Sequence, residues 1–173
     1  MVQTKLKNPH CKKLSRKNDI RPFEDMESLT FLTEKNDCSL FAFANHSKKR
    51  PNNLTLGRMF DHQLLDMVEF GVSNFRSLEE FDQSISVGAK PFFVFKGSKF
   101  SNDLKYIEIQ SLLLDSFRGE LFDKMSLNGV EWVITCTASE ETDTIYFRPY
   151  KILLKTSGSK VHYQLSNQLS LIQ

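Results

Sequence analysis

The residues SLFAFANHSKKRPNNLTLGRMFDHQLLDMVEFG (39–71) decide how the first half of this chain is read. Residues 39–44 are a short apolar run, the pattern of a buried strand. Residues 46–53 are polar and basic, contain no acid and are broken by Pro51, which makes them a loop. Residues 54–57 alternate and give a second strand. The two strands make a hairpin whose tip carries Lys48, Lys49 and Arg50 beside Asn52 and Asn53. From Phe60 the spacing changes. Phe60, Leu64, Met67, Val68 and Gly71 recur at helical intervals, with Asp61, Asp66 and Glu69 falling elsewhere, so the spacing predicts a helix over 60–71.

Toward the N-terminus, residues 1–22 show no apolar periodicity and read as an extended basic arm. Lys5, Lys7, Lys12, Lys13, Arg16 and Lys17 all precede the first acid, Asp19. Residues 22–25 (PFED) end the arm, and residues 27–35 suggest a helical turn. Toward the C-terminus, residues 91–95 form an apolar strand between Gly88 and Gly97. The oxygens of Ser101, Asn102 and Asp103 supply N-cap chemistry. A helix follows to Phe117, burying Ile109, Leu112, Leu113 and Phe117, with Gly119 as its stop. Residues 130–137 are a strand, 140–143 an acidic turn and 144–155 a longer strand. Pro149 within it lacks a donor and demands an edge or a bulge. A turn at 157–159 and a strand at 161–165 complete the order.

That order predicts an α/β or α+β arrangement around one core. The 173 residues suit a single domain, divided into the arm 1–22 and a body 23–173. Leu, Ile, Val and Phe supply 52 of them, far too many for a disordered chain. Three separated cysteines with no C-x-x-C point to a reducing compartment rather than a disulfide framework. No apolar h-region opens the chain and no run approaches the ~20 apolar residues that span a bilayer, so the reading is a soluble intracellular protein without membrane contact.

Net charge is +2, but its distribution is uneven. Residues 1–58 carry 12 Lys and Arg against 6 Asp and Glu; residues 59–143 carry 7 against 15; residues 144–173 carry 4 against none. Two basic ends flank an acidic middle, which favours a polyanionic partner for the ends.

Catalytic patterns are missing: no phosphate-cradling glycine loop, no nucleophile elbow, no paired zinc ligands. The acid pairs at 79–80 and 140–141 are neighbours in sequence and read as solvated turns rather than a general acid and base. An enzyme is not expected, nor any cofactor. What remains is basic segments interleaved with aromatics. Lys48, Lys49 and Arg50 neutralise phosphate, and Asn52 donates to phosphate or base edges. Residues 147–151 (FRPYK) put Arg148 and Tyr150 on one strand face if alternation survives Pro149, one suited to phosphate and the other to stacking on a base. On spacing alone, a plain surface strand with snorkelling cations fits slightly better.

The series KNDCSL, KKRPNN and GRMFD within residues 34–72, followed by GAKP at 88–91, SLLLDSFRG at 111–119 and FRPYK at 147–151, closely resembles the Brix-domain family, over roughly residues 15–165. The resemblance implies a two-lobed α/β domain similar to the anticodon-binding domains of class II tRNA synthetases. It implies a non-enzymatic assembly factor of the large ribosomal subunit in the nucleolus. It further implies a heterodimer with a regulator of ribosome synthesis 1 homologue, which brings 5S rRNA and ribosomal proteins uL5 and uL18 to the pre-60S particle. The RNA-binding residues it implies are Lys48, Lys49, Arg50, Asn52, Arg58, Arg148, Tyr150 and Lys151, to which the basic arm adds Lys12 and Lys13. It also implies a further basic C-terminal extension that these 173 residues do not include. The acidic middle supports an alternative, in which the chain is a protein-interaction platform and its partner supplies most RNA contacts.

Overall fold

The computed structural model describes residues 6–16, 20–77, 80, 85–119, 123, 129–153, 162–165 and 169–172. The expected turn at 157–159, with Lys5 and Lys17, lies outside them. The chain divides into two compact units, one of residues 13–72 and one of residues 1–12 with 73–172.

In the first unit, α1 runs Met26–Asn36, longer than the single turn the sequence suggests. Its start is set by Asp25, which accepts from the backbone N–H groups of Glu27 and Ser28 and from the Ser28 hydroxyl at 2.6 Å. Those bonds, the Ser28 hydroxyl first, hold the Asp25 carboxyl below its ordinary range. Its end is set by Asp37 at φ 49°, whose neighbour Cys38 donates its N–H to Thr33 O at 2.9 Å.

An antiparallel sheet follows: β1 Leu40–Asn45, β2 Asn53–Phe60 and β3 Gln63–Ser73. The first hairpin is as expected. The helix expected over 60–71 is instead β3. Leu54 faces Phe70, Leu56 faces Val68 and Arg58 faces Asp66, a period-2 match that an isolated helical reading of the same residues cannot see. The turn responsible is Asp61-His62, with φ of 48° and 60°. Two consecutive left-handed residues make the two-residue hairpin turn that strand twist favours, here without the usual glycine. A bulge follows, since Arg58 pairs with Asp66 but Met59 with Leu64, leaving Leu65 as the extra residue. Gly57 pairs with Phe41 across β1 and β2, and the Phe41 ring lies over it. A Cβ at Gly57 would collide with that ring and sit 2.9 Å from the Asp66 carbonyl oxygen.

In the second unit, β4 (Phe92–Lys96) is followed by a short helix α2 (Lys99–Asn102) and by α3 (Leu104–Phe117). The chain then builds β5 (Trp132–Ala138), β6 (Thr144–Leu153), β7 (His162–Leu165) and β8 (Leu169–Ile172). β4 and β5 are parallel, as a helical crossover permits, and β5 and β6 antiparallel. Asp103 caps α3, accepting from Lys105 N–H at 3.0 Å. The helix buries Ile109, Leu112, Leu113 and Phe117 as expected, together with Tyr106.

Beneath it lie Trp132, Ile134, Cys136 and Ala138 of β5 with Ile145 and Phe147 of β6. Burial pushes the Cys136 thiol up, so it stays protonated and inert. The abundant phenylalanines form one chain of ring contacts: Phe93–Phe95 at 5.6 Å, Phe95–Phe100 at 5.0 Å, Phe117–Phe93 at 5.7 Å and Phe117–Phe147 at 6.1 Å. Long-range bonds tie the acidic turn to the helices. Glu140 accepts from the Ser98 N–H and hydroxyl, and Asp143 meets Lys105 at 3.3 Å and the Tyr106 hydroxyl at 3.5 Å.

Pro149 sits where its missing donor costs least. Opposite β5 it pairs with Ile134 without a register shift. On the other side the β8 ladder stops at Phe147 and the β7 ladder starts at Tyr150.

Candidate nucleic-acid interface

Between β1 and β2 the chain turns through Ser47–Arg50. The Ser47 N–H donates to Arg50 O at 3.1 Å, and the Arg50 N–H donates to Ser47 Oγ at 3.0 Å. Lys48 and Lys49 occupy the centre of this turn and are exposed. Neither has a hydrogen bond or ion pair among the described residues. A second layer of bonds fixes the base of the loop. The Asn52 N–H donates to His46 Nδ1 at 3.2 Å, and the Asn52 carbonyl accepts from the Val72 N–H at 2.8 Å. Asn52 itself is at φ 53°, a conformation asparagine tolerates. Its side-chain oxygen lies 3.0 Å from His46 Nδ1 and faces the loop rather than solvent ligands.

Glu69, on β3, then gathers two neighbours. Its carboxylate meets Arg50 Nη1 at 2.9 Å and Asn53 Nδ2 at 2.9 Å. Arg50 keeps most of its guanidinium exposed while one edge is held. Arg58 is more fully engaged: Nε donates to Asp66 Oδ1 at 2.9 Å and Nη2 to Oδ2. Reading 60–71 as a helix hid Asp66 and Glu69 as partners, because cross-strand pairing and not sequence spacing brings them to the arginines. The period-2 run Leu54, Leu56, Arg58 against Asp66, Val68, Phe70 was the available signal.

The other basic residues lie in the second unit or in the arm. Alternation does survive Pro149: Ile145, Phe147 and Pro149 are buried, and Tyr146, Arg148 and Tyr150 are half-buried on the opposite face. The Arg148 guanidinium lies 4.9 Å from the Tyr146 ring centre. Among the described residues its buried Nε has no hydrogen-bond partner. A buried donor of that kind is uncommon and marks a place where an acceptor is wanted. Lys151 is half-buried on the other parity, and its charge helps hold the Glu131 carboxyl low, behind the larger effect of hydrogen bonds from Ser86. Lys12 and Lys13 are exposed in irregular chain. Arg118 lies 3.7 Å from Asp115, one turn back on α3.

Among the described residues no group of three His, Cys, Asp or Glu side chains is placed to hold a metal ion, and no helix is long and apolar enough to cross a membrane. The arrangement offers free cations on a rigid turn and an aromatic-backed arginine on a sheet face.

Comparison with known proteins agrees with the sequence resemblance. The chain is 47% identical over 156 residues to the human ribosome production factor 2 homolog, covering 90% of this chain and 50% of that protein. It is 44% identical over 155 residues to ribosome biogenesis protein RPF2 of Saccharomyces cerevisiae, covering 85% of this chain and 45% of that protein. The chain thus spans about half the length of the curated relatives it matches. Among solved structures, the crystal structure of a probable ribosomal biogenesis protein from Aeropyrum pernix K1 aligns with a TM-score of 0.48 at 13% identity, over 85% of this chain and 73% of that one. The Brix domain family model matches residues 3–171, and the chain belongs to the Brix-domain family.

Proposed function

We propose that this chain is a non-enzymatic ribosome biogenesis factor that binds rRNA through the Ser47–Arg50 turn, with Arg148 and Tyr150 as a separate contact. The observation that carries the reading is the turn itself: two ammonium groups with no partner among the described residues, on a loop already fixed by its own hydrogen bonds. A fixed loop loses little conformational freedom on binding, so phosphate neutralisation is not offset by ordering cost. The names of the relatives, ribosome production factor 2 and ribosome biogenesis protein, support the same role. Within that role the family resemblance favours recruitment of the 5S particle (5S rRNA with uL5 and uL18) to the pre-60S subunit in the nucleolus, in a heterodimer with the regulator of ribosome synthesis 1 homologue.

The test is binding of 5S rRNA against an unrelated structured RNA of equal length, across a salt series, for the chain alone and with that partner. Preferential, salt-steep binding by the chain alone supports the reading. Weak and indiscriminate binding that becomes tight only with the partner would make the chain chiefly a protein-docking platform.

A further inference from the structure

Ser47 opens the basic turn, and it is exposed directly before Lys48, Lys49 and Arg50. Its Oγ accepts the Arg50 N–H at 3.0 Å, so the hydroxyl lies against the turn that it starts. Other serine hydroxyls are placed differently. Ser28 donates to the Asp25 carboxylate at 2.6 Å, Ser98 to the Glu140 carboxylate at 2.9 Å and Ser116 to Leu112 O at 2.7 Å. A phosphate on Ser28 or Ser98 would meet a carboxylate, whereas on Ser47 it would meet cations. Residues 38–60 contain no Asp or Glu. The acid that cross-strand pairing brings to the turn, Glu69, is already bonded to Arg50 Nη1 and Asn53 Nδ2, at 2.9 Å each. Arg50 still leaves 67% of its side chain exposed, which gives the guanidinium room for a second anion.

We propose that Ser47 is a phosphorylation site that switches off RNA binding by its own turn. The inference rests on the rRNA reading of that turn. In the modification, Ser47 Oγ attacks the γ-phosphorus of ATP held by a protein kinase. The new Oγ–P bond replaces the bond from that phosphorus to the β,γ-bridging oxygen, and ADP leaves. The hydroxyl proton passes to a carboxylate of the kinase. The basic run suits a kinase whose substrate groove is acidic. The turn is closed by the bonds between Ser47 and Arg50, and strand pairing resumes only at Asn45 with Asn53. A kinase therefore reaches the hydroxyl by opening one turn and no strand pair. The phosphate brings about −1.5 to −2 charges at pH 7 against the three positive charges of Lys48, Lys49 and Arg50. It occupies those cations from within the chain and repels the phosphates of an approaching RNA.

The experiment encodes phosphoserine in place of Ser47 in the intact chain. An equal-charge control carries it in place of Ser101, exposed on α2 of the other unit. Binding of 5S rRNA is followed across a salt series. The phosphate on Ser47 should weaken binding at least about tenfold near ~100 mM salt and flatten the log–log slope by about 1.5–2 units. Phosphatase treatment should restore both, and the control should stay within about twofold of the unmodified chain. Phosphorus NMR should place the second ionisation of the phosphate on Ser47 below its ordinary value of about 6, and below that on Ser101. The cause is the Arg50 N–H and the neighbouring cations, which favour the dianion. The catalytic domain of protein kinase C with magnesium and ATP should phosphorylate Ser47 in the unmodified chain, as read by peptide mass spectrometry, and Ser47→Ala should lose that phosphopeptide. An unchanged binding curve, an equal loss from the control, or no phosphate on Ser47 would overturn the inference. An unmodified chain that fails to bind RNA would overturn the rRNA reading and the switch with it. The phosphate titration tells the two failures apart, since it needs no RNA.

Discussion

Arg58 on β2 and Asp66 on β3 meet in a two-point ion pair, Nε to Oδ1 at 2.9 Å and Nη2 to Oδ2, with the arginine side chain only 16% exposed. Removing one partner would strand the other charge in a poorly hydrated place. Asp66→Ala should lower stability by about 1–3 kcal/mol, below the ~3–5 kcal/mol of a fully buried pair because the acid is a third exposed. Arg58→Lys should lose the fork geometry and part of the same energy. Urea midpoints at unchanged slope would register both. An Asp66→Ala chain as stable as the parent would mean that the pair does not hold the hairpin.

Lys48 and Lys49 should separate binding from folding. Neither has a partner among the described residues, so Lys48→Gln with Lys49→Gln should change stability by less than about 0.5 kcal/mol. The same pair of changes should flatten the log–log salt dependence of rRNA binding by about 1.5 units. Fluorescence anisotropy across a salt series gives the slope. An unaltered slope would remove this turn from the interface.

Arg148 makes the opposite kind of test. Its buried Nε has no partner among the described residues, and an unsatisfied buried donor costs about 1–3 kcal/mol. Stacking on Tyr146 returns about 0.5–1 kcal/mol of that. Arg148→Met should therefore leave stability unchanged or raised, as read by thermal melting, while weakening rRNA binding. A strongly destabilised Arg148→Met chain would show that the guanidinium is structural.

Stability should fall on the acid side. Asp143 is held below its ordinary value of 3.8, first by the hydrogen bond from Lys105, and Glu140 below 4.5 by the bonds from Ser98. Both carboxyls release protons more readily folded than unfolded. Their contribution is complete above the ordinary values and disappears as pH falls through the lowered ones. Tyr106 behaves in the reverse sense: burial, and then Asp143, raise its hydroxyl above 10.0, so its contribution is present below that pH and lost above it. Melting temperature should drop below about pH 4, and Asp143→Asn should shrink that drop. A melting temperature flat from pH 5 to pH 3 would contradict the assignment.

Much of the fold is legible in the residues because local and tertiary preferences agree there. Leu112, Leu113 and Phe117 repeat at helical spacing, Asp103 caps, and the helix forms where the pattern says. Residues 60–71 are an exception, and β8 (Leu169–Ile172) is a strand that the sequence order did not contain. Leu64, Met67 and Val68 satisfy a helix as well as a strand, and the deciding information lies in β2, through Leu56 and Arg58. The turn at Asp61-His62 offers no glycine to announce it. For the site, the positions of Lys48 and Lys49 at a hairpin tip were readable from composition and Pro51. The engagement of Arg50 and Arg58 was not, since their partners come from a strand that the spacing disguises. The resemblance grouped Lys151 with Arg148 and Tyr150, but strand parity sends it to the other face.

The contact between Gly57 and Phe41 has an evolutionary consequence. The ring occupies the volume that any side chain at 57 would need, so the two positions are not independently variable. A lineage reaching alanine or valine at 57 must first, or at once, give up the ring at 41. One that loses the ring first leaves a bare glycine in a central strand, weakened on both sides. Because the Asp66 carbonyl oxygen also lies 2.9 Å from that volume, losing the ring does not by itself admit a side chain at 57, and the glycine should outlast the aromatic in an alignment of this hairpin.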